Sequence, residues 1–416
     1  MISRRKVKKK RIRKNALNGN KPEPSVNLGN LLTTYQKICK ESCCPPSPKV
    51  VTDLQKYINL NKYLVRFIIY PDANVKNYML EPLIKSIRNV HYTFIKELYL
   101  WKIPLQHSHT ATLALMMEKG DYKITTLELE DCDIGAYSIA RLSKSFQSNT
   151  LVNLVLDFNE FGDEGVEGLC NGLKGNSSLI KLSLNYCGLT HKSGKILSKA
   201  ISSTAIREVY LDSNKLGPEG VRSLIEPFVE QSIIEVIERR QEKEKKEAEA
   251  AKLAAEEGTK RQQQLINEMK NASNPRKSIT SRSALLPLAA RKKKKKRKKK
   301  VIPVPPGVGA WISKLHFADN GLDLSLYNDT SAPLGIMMML KNFIANSTYL
   351  TELNLDGNLI GDLGGLEIRD GLVMRKTARL PQLKITIGVR MQAETLTKIL
   401  KLSGRLSKKR RRVKKK

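Results

Sequence analysis

Four stretches decide the fold: LELEDC at residues 127–132, LVLDFN at 154–159, LSLNYC at 182–187 and VYLDSN at 209–214. Each carries apolar residues at its first and third positions and ends in Asn or Cys. An apolar residue three places upstream (Ile124, Leu151, Leu179, Ile206) completes the skeleton, and these starts lie 27, 28 and 27 residues apart. Between them the spacing turns helical: Val166, Leu169, Cys170 and Leu173 form one i, i+3, i+4, i+7 stripe. A recurring unit of this length is a short strand followed by a helix, and one unit cannot bury its apolar face alone. Neighbours must therefore stack, which predicts an α/β solenoid with a parallel sheet on its concave face and helices outside.

The skeleton extends in both directions. Upstream, a unit opens at Ile95 with Leu98 and Leu100, and LVRFII at 64–69 reads as a degenerate first repeat or cap with a helix over 75–90. Short helices are predicted over 31–40 and 51–59. Downstream, units open at Ile312, Leu350 and Leu380, with steps of 38 and 30. Three successive Met residues within 336–343 read as the buried face of a repeat helix, and a closing helix is predicted over 393–402. Residues 231–270 carry nine acids and nine bases and read as a charged helical spur, docked through Ile233, Ile234, Val236 and Ile237. The predicted division is thus a disordered basic arm (1–30), a helical cap with a degenerate repeat (31–94) and leucine-rich repeats (95–230). A charged helix (231–270), a disordered basic linker (271–311), C-terminal repeats with a cap (312–402) and a basic tail (403–416) complete it.

The net charge of +34 is concentrated. Residues 1–14, 291–300 and 405–416 hold nine, ten and nine Lys or Arg and no acid, so 28 of the 34 charges sit on 36 residues. The remainder is close to neutral. No secretory apolar region follows the basic start, and no run reaches 18 apolar residues, so an intracellular protein without a membrane partner is expected. Six cysteines fit that compartment. Cys39, Cys43 and Cys44 lack a fourth ligand at zinc spacing, so no metal is expected there.

Cys and Asn alternate at the last skeleton position (Cys132, Asn159, Cys187, Asn214), the helix start at 162–166 reads GDEGV, and units run near 28 residues. In these features the chain resembles the ribonuclease-inhibitor class of leucine-rich repeat proteins, closely over 95–230 and more loosely over 312–388. The resemblance implies a horseshoe and an intracellular protein-binding role. The class includes inhibitors, GTPase activators, innate sensors and axonemal components.

No Gly-rich phosphate loop, G-x-S-x-G or paired-carboxylate context is present, so no catalytic residue, enzyme activity or cofactor is expected. His107, His109 and His191 read as loop residues and His316 as a strand residue. The informative surface is the concave one, because alternate strand residues face opposite ways. It predicts a protein-binding face of exposed aromatics (Tyr99, Trp101, Phe158, Tyr186, Tyr210) among acids (Glu128, Glu130, Asp131, Asp157, Asp212, Asp319, Asp356). Such a face repels phosphate and suits a basic partner, one of the chain's own tails included; deletion of 405–416 should then raise affinity for that partner.

The basic runs allow several functions: non-specific nucleic-acid binding, nuclear import, solubility, or a grip on an acidic protein surface such as a microtubule. Repeats joined to a charged helix and basic arms are similar to components of cilia and flagella. That similarity implies a cytoplasmic scaffold or adaptor tethered to the cytoskeleton or axoneme. The alternative is a nuclear or nucleolar protein touching RNA through its tails. A third is a GTPase activator of the Ran type, which the basic sign of 405–416 disfavours.

Overall fold

A computed structural model describes residues 23–71, 79–147, 150–272, 306–323 and 331–404. Its centre is one parallel sheet of nine strands in sequence order. The strands are β1 (Arg66–Ile69), β2 (Glu97–Trp101), β3 (Thr126–Glu130), β4 (Asn153–Val155), β5 (Lys181–Ser183), β6 (Glu208–Tyr210), β7 (Lys314–His316), β8 (Glu352–Leu355) and β9 (Lys384–Ile387). The sheet is open at both ends, and helices cover one face, as the repeat skeleton predicts.

The register shows why these residues form strands. Leu98, Leu127, Leu154, Leu182, Val209, Leu315, Leu353 and Ile385 pair successively across the sheet. All eight side chains are buried, and their alternation with partly exposed neighbours puts one face in the core and one outside. The helices follow: α1 (Pro24–Glu41), α2 (Pro48–Asn59), α3 (Leu80–Asn89), α4 (His107–Glu118), α5 (Ala136–Ser143), α6 (Gly162–Gly172) and α7 (His191–Ser202). Then come α8 (Gly217–Ala272), α9 (Ser331–Asn346), α10 (Gly361–Thr377) and α11 (Ala393–Leu402). Helices of adjacent repeats approach closely where both offer small residues. A Cβ at Gly168 would come within 2.7 Å of the Ala140 Cβ, and one at Gly194 would strike the Gly220 carbonyl.

The Asn and Cys positions solve a polar problem inside the turn after each strand. Asn159 donates to the carbonyls of Leu129 and Leu156, both at 2.8 Å, and accepts from the amides of Cys132 and Ile134. Asn214 does the same for Leu184, Leu211, Cys187 and Leu189. A buried amide side chain thus satisfies backbone groups of two repeats at once, which would otherwise be costly orphans. The thiols of Cys132 and Cys187 donate to the carbonyls of Leu100 and Leu156, each at 3.4 Å. Burial pushes the Cys132 thiol up to about 12, so it acts as a neutral donor.

The sheet crosses the insertion without a break. Val209 pairs with Leu315, and the Leu211 amide donates to the His316 carbonyl at 2.9 Å. Buried Arg207 anchors the returning chain, donating to the carbonyls of Pro306 (2.7 Å) and Gly309 (3.4 Å). Burial lowers the pKa of this guanidinium. Pro306 and Gly309 therefore belong to the fold, although the sequence places 271–311 in a disordered linker.

Several other expectations change. Residues 24–30, predicted as part of a disordered arm, begin α1, with Leu28 fully buried. No boundary exists at residue 231, because α8 runs unbroken for 56 residues from repeat helix into spur. Its docking side is not the isoleucine cluster: Ile233, Ile234, Val236 and Ile237 are all exposed. The spur is held instead by buried Ser232 and Glu235 with Arg239. Glu235 accepts from the Thr348 amide at 2.5 Å, and Arg239 donates to the Asn346 carbonyl at 2.7 Å and to the Thr348 hydroxyl. His107 and His109 stand in the first turn of α4, and His191 opens α7. In α9, Met337 is buried and Met338 exposed, so only part of the methionine run is core. The basic runs 1–14, 291–300 and 405–416 lie outside the described residues, as does the expectation that a tail occupies the concave face.

Candidate protein interface on the concave face

Three rows of side chains cross the uncovered face. The row between the core leucines holds Tyr99, Glu128, Val155, Ser183, Tyr210, His316 and Asn354. The next, at the strands' C-terminal ends, holds Trp101, Glu130, Asp157, Asn185, Asp212, Ala318 and Asp356. The third, at the strand starts, is not among the residues the sequence singles out: Arg66, Glu97, Thr126, Asn153, Lys181, Glu208, Lys314, Glu352 and Lys384 pair one to the next. One more step of two residues along each strand would have found it. Its charges largely neutralise each other, through Arg66–Glu97 (2.5 Å), Lys314–Glu208 (3.0 Å) and Lys384–Glu352. Lys181 lies 5.1 Å from the Tyr210 ring centre.

The acids of the C-terminal row divide by partner. The Asp157 carboxylate accepts from the Asn185 amide (2.9 Å), the Asn185 side chain accepts from the Asp212 amide (2.7 Å), and Asp212 accepts from the Ala318 amide (2.7 Å). These side chains pick up backbone donors just past the strand ends, so Asp157 and Asp212 hold repeats together as well as lining the face. The Glu130 carboxylate has no hydrogen-bond partner among the described residues. Burial first, then the charges of Glu128 and Asp157, raise its pKa above the ordinary carboxylate value.

Asp131, Phe158, Tyr186 and Asp319 are not strand residues. Each has a positive φ (53°, 59°, 53° and 49°), as do Lys102 and Ser213 at the equivalent turn. Their amides nonetheless continue the ladder: Lys102 to the Glu130 carbonyl, Asp131 to Asp157, Phe158 to Asn185 and Tyr186 to Asp212. This repeated left-handed turn puts their side chains on the rim. Phe158 (45 % exposed) and Tyr186 (50 %) stack there with ring centres 4.8 Å apart.

The other aromatics are half-buried rather than exposed. Trp101 donates from Nε1 to Glu128 at 2.8 Å and packs edge-on against Tyr99 at 6.0 Å, while the Arg66 guanidinium lies 5.5 Å from the Tyr99 ring centre. Tyr70, Pro71, Trp101, Lys102 and Glu130 line one concavity at this end of the sheet. Tyr210 and His316 are in contact farther along, 4.5 Å apart, with His316 3.7 Å from Asp212 and 3.6 Å from Glu352. Asp356 is exposed and Asp319 stands beside the concavity that includes Tyr186 and Glu160. The binding residues inferred from the sequence therefore fall into an aromatic–acidic group on β2–β4, a rim stack, a Tyr210–Asp212 group that meets His316 at β6–β7, and the exposed acids Asp319 and Asp356 beyond β7 and β8.

Among the described residues no group of three His, Cys, Asp or Glu is placed to hold a metal, and no helix is long and apolar enough to cross a membrane. Burial pushes the Cys170 thiol to about 12, far from a reactive thiolate.

The open sheet, one strand and one helix per turn, and buried Asn ladder define a leucine-rich repeat solenoid. A family model described as "Leucine Rich repeat" matches residues 147–170 and 346–368. NACHT, LRR and PYD domains-containing protein 14 of Mus musculus is 38% identical over 116 residues, 27% of this chain and 12% of that protein. The Homo sapiens protein of that name is 29% identical over 166 residues, 39% of this chain and 14% of its own length. Ribonuclease inhibitor of Mus musculus is 32% identical over 133 residues, 31% of this chain and 29% of the inhibitor. Over these segments the repeats are similar to those of ribonuclease inhibitor and of the NACHT, LRR and PYD domains-containing proteins. The chain matches only a minor part of the length of each of these relatives.

Proposed function

We propose that the protein is a non-enzymatic scaffold that docks a protein partner on its concave face, centred on β2–β4. The observation that carries this reading is the aromatic–acidic group: half-buried Trp101 and Tyr99 beside Glu130, a carboxylate without a partner among the described residues, with Glu128, Asp131 and Asp157 around it. Aromatic anchors are what protein interfaces favour, and the negative sign of the acids around them selects a partner segment rich in Lys or Arg. The basic runs then tether the scaffold to a polyanionic assembly, the axoneme or microtubules being the reading we favour.

The test is affinity capture from native cells with the unaltered chain and with Trp101→Ala and Glu130→Lys variants. A partner captured by the first and lost from both variants supports the interface, whereas an unchanged set of captured proteins refutes it. Co-sedimentation with microtubules before and after removal of their acidic tails tests the tether, as does a tagged chain in cells. Axonemal or cytoskeletal signal supports it, and nucleolar signal would favour the RNA-contacting alternative.

A further inference from the structure

The face of α8 that turns away from the solenoid carries apolar side chains that the fold leaves uncovered. Near the solenoid these are Ile233 (47 % exposed) and Ile237 (52 %); near the far end they are Leu265 (58 %) and Met269 (74 %). Within each pair the spacing is four residues, and 32 residues separate one pair from the other. At 3.6 residues per turn that is close to nine turns, so the pairs lie within about 40° of each other around the axis and about 48 Å apart along it. Between them the same stripe contains small residues, Ala251, Ala255 and Gly258. Every described side chain from 240 to 267 is exposed.

We propose that α8 pairs antiparallel with α8 of a second copy of this chain, about a two-fold axis at Ala251. The arrangement is self-complementary, as a two-fold interface requires. Ile233 faces Met269 of the other copy, Ile237 faces its Leu265, and the two apolar contacts sit at opposite ends of the overlap. The small central residues let the helices approach closely. Arg240 then faces Gln262 and Glu244 faces Gly258, while Lys243 lies on the same side as Glu257 of the other copy. A parallel pair would instead stack Arg240 on Arg240 and Glu244 on Glu244, and would bring both solenoids to the same end. Charge therefore selects the antiparallel second copy, on a surface separate from the concave face.

The full chain should sediment at twice its 46.9 kDa mass. Ile237→Asp and, separately, Leu265→Asp should each halve that mass while leaving the circular dichroism spectrum unchanged, since both side chains are exposed. Direction is read by cross-linking in a Cys43→Ser background, which removes the exposed thiol. A tagged Ile237→Cys chain mixed with an untagged Leu265→Cys chain should join through a short bismaleimide. A monomeric unaltered chain, a dimer that survives either Asp substitution, or cross-linking between two Ile237→Cys copies would each overturn the proposal.

Discussion

Two junctions in the sheet differ in almost everything but their result. Between β4 and β5 equivalent residues are 28 apart in sequence; between β6 and β7 they are 106 apart, with the whole spur in the interval. Yet the Leu156 amide reaches the Ser183 carbonyl at 2.9 Å and the Leu211 amide reaches the His316 carbonyl at 2.9 Å. Past the strand ends, Phe158 to Asn185 and Ser213 to Ala318 are both 2.8 Å. Strand pairing here is set by the apolar and polar faces that meet, not by the length of chain that joins them. Loop-closure entropy grows only logarithmically with length, so a long excursion costs little extra. What the long junction adds is fasteners: Arg207 on the returning chain, and Glu235 with Arg239 on the next repeat.

Experiments that break one junction and spare the other sharpen this comparison. The largest effect is expected from Asn214→Ala, which strands the amides of Cys187 and Leu189 and the Leu184 carbonyl, while the Leu211 carbonyl keeps its bond from Asn320. With each buried orphan costing about 1–3 kcal/mol, the loss should be on the order of 4 kcal/mol by denaturant unfolding, and Asn159→Ala should match it. Arg207→Ala should cost about 2 kcal/mol and act at the long junction alone, read as faster amide exchange in β7 than in β5. Replacing residues 240–300 by a short Gly-Ser linker should change stability by less than about 1 kcal/mol, checked by the same unfolding curve.

The smallest effect concerns pH. Because the Glu130 pKa is raised, this carboxyl takes up its proton at a higher pH than an ordinary glutamate does. Affinity for a basic partner should therefore weaken as pH falls through the mildly acidic range above 4.5, and Glu130→Gln should remove that dependence. The sign for folding is opposite: the folded chain binds the extra proton, so this group's contribution to stability grows as pH falls.

The apolar skeleton and its Asn or Cys terminus made every strand legible, because burial on one face imposes a period of two that few other structures share. Less legible was anything set by the phase of one element against a distant one. Ile233 and Ile237 read as a docking patch, but it is Glu235, on the opposite side of the same turns, and Arg239 that meet the loop at 346–348. Asp157 and Asp212 read as binding residues because their hydrogen bonds to the next repeat depend on amides just beyond the strand ends. The left-handed turn at Phe158 and Tyr186 has no signature in residues that usually avoid it, and only its recurrence across repeats betrays it. Nothing in the sequence pattern marks Arg207 or Arg375 as different from the chain's other basic residues. Both are buried, and Arg375 donates to the carbonyls of Ile344, Ser347, Leu350 and Pro381.

Hydrogen exchange at the amides of Leu211 and Ser213, before and after proteolytic cutting of the spur, tests the continuity of the sheet most directly. Protection equal to that of Leu156 and Phe158, and unchanged by the cut, is the predicted result. Exchange of Leu211 and Ser213 at the rate of exposed loops, in either state, would mean that the repeats on the two sides of the insertion do not form one sheet.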